Sequence, residues 1–277
     1  MSIIFIAGLT RSGTTFLQAQ LLRYESVVAL GEVSQTIEAI RNLSKEKPKW
    51  KVRIGLERES YWNPKTYSVL LNRVEKDSFW GPIKTEVEEA ADMQKAIEIV
   101  YEKAKQKYPG HVLIDSSKHI DNLKNVLLIK KFRNDIKTIL SIRDYRGWLF
   151  STKKHRDRVG YKKNNDLIEI YKWFYSNQKL IRFLYSNAEE RFRIISYDKL
   201  VFSYEKSMKE LASFCGLNKI SSIENSHKFH EILGSQSFKK QSTENVTYDS
   251  SWFCYRSNML EWPVSTLNKK IYLKYSV

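Results

Sequence analysis

Cysteine is scarce in this chain: 277 residues contain two, Cys215 and Cys254, with no CxxC pair and no Cys/His cluster at metal-ligand spacing. That excludes a disulfide scaffold and a structural zinc site, and the two cysteines are expected to pack in the core of a reduced protein. Long hydrophobic runs are missing too. The apolar start, about six residues long, is too short for a signal-peptide h-region or a membrane span, and no basic n-region precedes it. A cytoplasmic chain with no membrane partner is the expectation. Acidic residues are outnumbered, 31 Asp+Glu against 47 Lys+Arg, for a net charge of +16. Such a surplus favours anionic partners. The lysines are nevertheless scattered, without a basic block, tail or recognisable nucleic-acid module, which counts against a dedicated DNA or RNA binder. There is no internal repeat or low-complexity tract. With 42% hydrophobic and 13% aromatic residues the chain lies outside the disordered range. One domain spanning 1–277 is favoured.

What is present starts at the front. Ile3 to Ala7 is an apolar run of strand length, followed by Gly8, four residues, Gly13, Thr14 and Thr15, after which the sequence turns helical. A strand, a glycine-bracketed loop and a helix N-terminus aim backbone N–H groups and a positive dipole end at one point, a cradle for phosphate or sulfate. The Gly8 to Gly13 spacing is that of GxxxxGK[ST], but Thr14 stands where the lysine belongs. An NTPase or kinase needs that lysine on the β/γ-phosphates and Mg²⁺ on the next residue. Its loss points to a different anion, with Arg11 supplying charge from inside the loop.

Along the chain the spacing predicts a helix from Thr15 to Arg23, an extended run Val27 to Leu30 that delivers Glu32, and a helix from Ser34 to Asn42. Residues 43–86, with Lys45, Lys47, Lys49, Lys51, Trp50, Trp62 and Trp80, show no core periodicity and are read as a lid or acceptor-binding insertion. A helix from Glu89 to Tyr108 stops at Pro109-Gly110. A strand from His111 to Asp115 then releases Asp115 to His119 into a loop. Next come helix Asn122 to Phe132, strand Ile136 to Arg143, helix Tyr145 to Arg158 and a long helix Asn165 to Asn187 with Leu167, Tyr171, Phe174, Ile181 and Leu184 near one face. Phe192 to Ser196 is read as the fourth strand, and Glu205 to Cys215 as a helix ended by Gly216. A last helix, Val264 to Tyr275, lies in the less regular remainder, read as a C-terminal extension over 218–277 that closes the site. This rhythm predicts an α/β fold, a central parallel sheet flanked by helices, with ligands at the carboxyl ends of the strands.

Four segments then carry a resemblance. TRSGTTF is similar to the 5′-phosphosulfate loop of the sulfotransferases that use 3′-phosphoadenosine 5′-phosphosulfate (PAPS). SIRDYRGWLFS, with Arg143 and Ser151 eight positions apart, is similar to their 3′-phosphate motif. ISYDKLVFSYEKSMKELASFCGL, residues 195–217, resembles the segment after the last central strand, where Tyr197 would lie near adenine, and VLIDSSK at 112–118 resembles an active-site strand. The resemblance spans about residues 3–217. Beyond it, the glycine-rich RKG segment of cytosolic members is not found, and SHKFHEILGSQSFKK, with Lys239 and Lys240, resembles only loosely the His-containing segment of bacterial relatives.

The resemblance implies a P-loop-like sulfotransferase architecture and transfer of a sulfuryl group from PAPS to a hydroxyl or amine, leaving adenosine 3′,5′-bisphosphate (PAP), with no metal. Arg11, Ser12, Gly13, Thr14 and Thr15 would hold the phosphosulfate; Arg143, Ser151 and Tyr197, with Lys239 and Lys240, the rest of the nucleotide. Two residues compete as general base. Glu32, 21 positions after Arg11, matches the glutamate of tyrosylprotein-type relatives, and His119 matches the histidine of cytosolic ones; the placement favours Glu32. Lys118 would neutralise the transferring group, with Ser116 and Ser117 in hydrogen-bonding reach of it. The expected partner is a small-molecule or carbohydrate acceptor, with natural-product tailoring, for example of a saxitoxin-type alkaloid, as one candidate. No nucleic acid beyond the donor nucleotide is expected. A Mg-ATP-dependent P-loop kinase and a basic nucleic-acid-binding protein are the alternative readings.

Overall fold

The structure is a computed structural model that describes residues 2–43, 71–159, 165–188, 190–220, 229–230, 232, 250–254 and 261–275. Lys239, Lys240 and most of the 43–86 insertion lie outside the described residues. The strands are β1 (Ile3–Gly8), β2 (Val27–Gly31), β3 (Val112–Lys118), β4 (Ile136–Ile142) and β5 (Phe192–Ser196). They form one parallel sheet in the order β2-β3-β1-β4-β5. The helices are α1 (Thr14–Leu22), α2 (Val33–Leu43), α3 (Trp80–Glu89), α4 (Met93–Lys107), α5 (Ile120–Leu128), α6 (Tyr145–Val159), α7 (Asp166–Asn187), α8 (Tyr197–Phe202), α9 (Tyr204–Cys215) and α10 (Glu261–Ile271).

β1 is central and apolar throughout because it has no solvent face. Ile3, Phe5 and Ala7 pack with α2 to α7, while Ile4 and Ile6 pack with Leu17 and Leu21 of α1 and Met208 and Leu211 of α9. Burial on both sides explains a continuous hydrophobic run where a half-exposed strand would alternate. The connection after β1 uses α1 on one face, and that after β3 uses α5 on the other, so the crossovers diverge between β1 and β3. Their carboxyl ends open a crevice there. Register shifts between Phe5 and Ala7 and between Ala29 and Gly31 fall near the same rim, where bulges re-aim side chains.

Several sequence expectations need correction. Val27–Gly31 is a full edge strand, which makes Phe192–Ser196 the fifth strand. β3 runs on to Lys118, because the polar residues after Ile114 find partners inside the protein. The helix expected from Glu89 starts at Met93, where the Asp92 side chain accepts from Lys95 N at 2.7 Å. Residues 71–86 carry core after all, in that Val74, Phe79, Trp80 and Ile83 are buried. α5 begins at Ile120 and ends at Leu128, where Asn122 to Phe132 was expected. On α7 the inward face holds Ile170, Trp173, Asn177, Leu180, Ile181 and Leu184, whereas Leu167 and Tyr171 are exposed. The last helix starts earlier than expected and gives way to a 3₁₀ turn at Leu273–Tyr275. The expected Gly216 C-cap is present, with φ 77°, and Cys215 is buried. No helix among the described residues is long and apolar enough to cross a membrane.

One clip joins distant segments. Phe229 pairs in parallel with Ala29 on the outer edge of β2, and His230 N donates to Ala29 O at 2.9 Å. Buried His230 donates from Nδ1 to Asp77 at 3.0 Å, and its Nε2 lies 2.5 Å from the Tyr108 hydroxyl. Trp80 Nε1 donates to His230 O at 2.8 Å. Burial raises the Asp77 pKa, but hydrogen bonds from His230 and from the Trp80 and Phe79 backbone outweigh it and hold the carboxyl below its usual value. His230→Ala takes from Tyr108 this partner and from Asp77 one of its three donors, and is expected to cost about 2–3 kcal/mol, against about 1 kcal/mol for Tyr108→Phe, read by urea unfolding.

Candidate active site

The loop between β1 and α1 turns its polar groups inward where it can. Ser12 N and Oγ both donate to Leu9 O, at 3.1 and 2.7 Å. Trp148 Nε1 of α6 donates to Thr10 O at 2.8 Å, and Ser141 Oγ of β4 donates to Ser12 O at 2.7 Å. With its carbonyls fixed this way, the loop enters α1 through Gly13 at φ 90°. The α1 N-terminus has no side-chain cap and no acidic residue in its first turn. Its partial positive charge is therefore left for an anion.

Gly13 also marks a close approach. A Cβ there would lie 2.6 Å from Tyr197 Cδ2, and the same ring meets Phe16 edge-on at 5.8 Å between centroids. The Arg143 guanidinium sits 4.7 Å from the Tyr197 ring centroid, and Arg143 O accepts from Trp173 Nε1 at 3.1 Å. Thus the ends of β1, β4 and β5 converge on one spot, bringing together Gly13, Arg143 and Tyr197. Ser151 is half-buried on the second turn of α6. Sequence reasoning missed Trp252, on a 3₁₀ turn at Ser251–Cys254: a Cβ on Gly147 would lie 2.9 Å from Arg143 Nε and 3.2 Å from Trp252 Nε1. The bare glycine of RDYRGW was the only signal available for this packing.

At the other end of the rim, Glu32 follows β2 and Lys118 ends β3. Lys118 Nζ donates to Glu32 Oε1, with both side chains largely withdrawn from solvent. Lys118 and Arg11 are the non-glycine residues with positive φ among those described, at 65° and 76°. Such backbone costs of order 1–3 kcal/mol and persists where the surroundings enforce it, commonly at functional sites. His119, the rival base, is exposed and holds the N-cap position of α5.

Asp115 lies in β3 as expected, and Ser117, expected in a loop, is a fully buried strand residue as well. Asp115 accepts from Tyr101 Oη at 2.6 Å, from Ser117 N at 2.8 Å and from Ser117 Oγ. Burial pushes its pKa up to about 6, although these bonds and one from the Val33 N–H pull downward. Ser116 is buried as well. Ser117 cannot serve a ligand while engaged in this way. Among the described residues no group of three His, Cys, Asp or Glu side chains is arranged to hold a metal ion.

The comparisons agree with this architecture. The sequence profile described as the sulfotransferase family matches residues 3–221. The sulfotransferase domain of the Synechococcus PCC 7002 olefin synthase superposes with a TM-score of 0.64 at 15% identity, covering 100% of this chain and 96% of that one. The sulfotransferase domain from the curacin biosynthetic pathway gives 0.62 at 18% identity, covering 99% and 98%. Mouse sulfotransferase SULT7A1 complexed with PAP gives 0.51 at 11% identity, covering 98% and 84%. A search of curated proteins returns no match. With the profile running from β1 past the end of α9, over a parallel sheet shared with these domains, the chain belongs to the sulfotransferase family.

Proposed function

We propose that the protein transfers a sulfuryl group from PAPS to a hydroxyl or amine of a small-molecule or carbohydrate acceptor. The observation that carries the donor assignment is the convergence of Gly13, Arg143 and Tyr197 beside the uncapped α1 N-terminus. An uncapped helix N-terminus with the Tyr197 ring packed against Gly13 and the Arg143 guanidinium over that ring suits a nucleotide bearing phosphates at both ends.

On this reading Arg11, Ser12, Thr14, Thr15 and the α1 N-terminus hold the 5′-phosphosulfate. Arg143 holds the 3′-phosphate through charge-assisted hydrogen bonds, with Ser151 as a hydroxyl donor. Tyr197 supports the adenine side; Lys239 and Lys240 remain candidates for the phosphate. The bound donor supplies the sulfuryl group and departs as PAP. Residues of this chain do the rest. Arg11 and the loop amides stabilise charge growing on the bridging oxygen as the S–O bond breaks. Glu32 takes the proton from the acceptor as its oxygen or nitrogen bonds to sulfur, with His119 as the alternative base. Lys118, one hydrogen bond from Glu32, lies where it can neutralise the moving group.

The net charge of +16 supports the same reading, since it favours association with an anionic donor. We read residues 1–277 as one cytoplasmic sulfotransferase domain in which the part of 43–86 that precedes the core residue Val74 contributes the lid and 218–277 closes the site. Natural-product tailoring is the role we favour.

Calorimetry with PAP in EDTA is expected to show binding that Mg-ATP does not match; tight Mg-ATP binding without PAP binding would replace this reading with a kinase. Arg143→Ala is expected to weaken PAP binding by about 10- to 100-fold, the scale of a lost hydrogen-bonded charge contact. An unchanged PAP affinity removes Arg143 from the site.

A further inference from the structure

Glu32 occupies the N-cap position of α2, since its carbonyl accepts from Thr36 N at 2.9 Å. Asp, Asn, Ser or Thr at this position turns its side chain onto the helix's own first N–H groups. Here the carboxylate turns to Lys118 instead. The unpaired N–H groups of the first helical turn are served from another strand: Val33 N–H bonds to the Asp115 carboxylate, and Ser34 N donates to Ser117 Oγ at 2.9 Å. Ser117 O accepts from Gln35 Nε2 at 3.0 Å and from Asn122 Nδ2 at 2.9 Å, which ties α2 and α5 to the same point. Tyr101 of α4 fixes the second carboxylate oxygen from beneath.

The two members of the ion pair flank this network. Glu32 is bonded to Val33 along the chain, and Lys118 follows Ser117. We infer that Asp115, through Ser117 and the start of α2, is a positioning residue that relieves Glu32 of capping and sets its carboxylate against Lys118. The helix N-terminus offsets part of the cost of burying the Asp115 charge, so one group caps the helix and aims the base. The inference rests on the reading of Glu32 as general base for its catalytic meaning, but its geometry is testable without an acceptor.

The experiment measures acetylation of individual lysines by N-acetoxysuccinimide in the full-length protein, read by mass spectrometry. Lys153, paired with Asp166 at 2.7 Å, is the internal control. In Asp115→Asn the Lys118 rate is expected to rise about tenfold, the scale of a lost hydrogen bond to a charged group, with Lys153 unchanged. Glu32→Gln is expected to raise it equally, and the double variant no further, because both changes break one linkage. Tyr101→Phe, which removes a single donor to Asp115, is expected to give a smaller rise and serves if Asp115→Asn fails to fold. An unchanged Lys118 rate in both Asp115→Asn and Tyr101→Phe overturns the inference. So does a parallel rise at Lys153, which marks general loosening, or an additive double variant. Turnover separates the two readings: a fully active Glu32→Gln removes Glu32 as base whatever the labelling shows.

Discussion

Glu32→Gln is expected to lower PAPS-dependent turnover by about 10³-fold while leaving PAP affinity within a factor of about two, because a positioned general base contributes 10²- to 10⁴-fold. The amide keeps the shape of the side chain, but it carries no charge to hold Lys118 and cannot take the acceptor's proton. The geometry behind this expectation is the burial of Glu32 against Lys118 at the strand ends, beside the crevice. His119 is exposed at the start of α5, and His119→Ala is expected to change turnover only about twofold, as surface substitutions do. The check is release of PAP with an acceptor identified from a panel by mass spectrometry. The reverse pattern, an inactive His119→Ala with an active Glu32→Gln, transfers the base assignment to His119.

The second large effect is expected at Gly13. Its φ of 90° lies in the region that costs an L-residue about 1–2 kcal/mol, and the added methyl would stand 2.6 Å from the Tyr197 ring. Tyr197 cannot swing aside alone, because Arg143 lies over its ring and Phe16 meets its edge. If the loop, Tyr197 and Arg143 share the nucleotide as proposed, Gly13→Ala displaces all three at once and is expected to reduce PAP affinity by at least about 100-fold, the cost of a misplacement of roughly 1 Å. Isothermal titration with PAP, beside a thermal melt to show that the variant is folded, reads the result. A folded Gly13→Ala with ordinary PAP affinity would mean that the loop, Tyr197 and Arg143 do not share a ligand.

These positions were legible to very different degrees, for physical reasons. Ile3 to Gly13 announces itself because every cause is local: a doubly buried strand must be apolar throughout, and a tight turn into a helix needs glycine. Arg143 and Tyr197 follow from their places at strand ends. Ser116 to Lys118 was misread as a loop because the polar cluster it shares with Asp115 is satisfied by Tyr101 of α4 and by α2, which no local pattern reports. Residues 71–86 were misread because Phe79 and Trp80 bury consecutive side chains at a helix entrance, and the helical period fails there. On α7 the inward stripe is set by Trp173, whose indole N–H is needed at Arg143 O, so Leu167 and Tyr171 face outward. Trp252 sits in a stretch without periodicity, and only the structure links it to Gly147.

The pairing of Phe229 with β2 has a consequence for how copies of the protein meet in solution. β2 is the outermost strand on its side, and its sequence, VVALG, is apolar along its length. An open strand of that composition is a template for a second chain to add to, and so a seed for aggregation. Main chain at 229–230 occupies part of that template, held by His230. At the opposite margin, β5 relies on charge instead, with Arg193 exposed in mid-strand. Loss of the His230 clip should thus register first as concentration-dependent turbidity, at temperatures where the rest of the sheet is still intact.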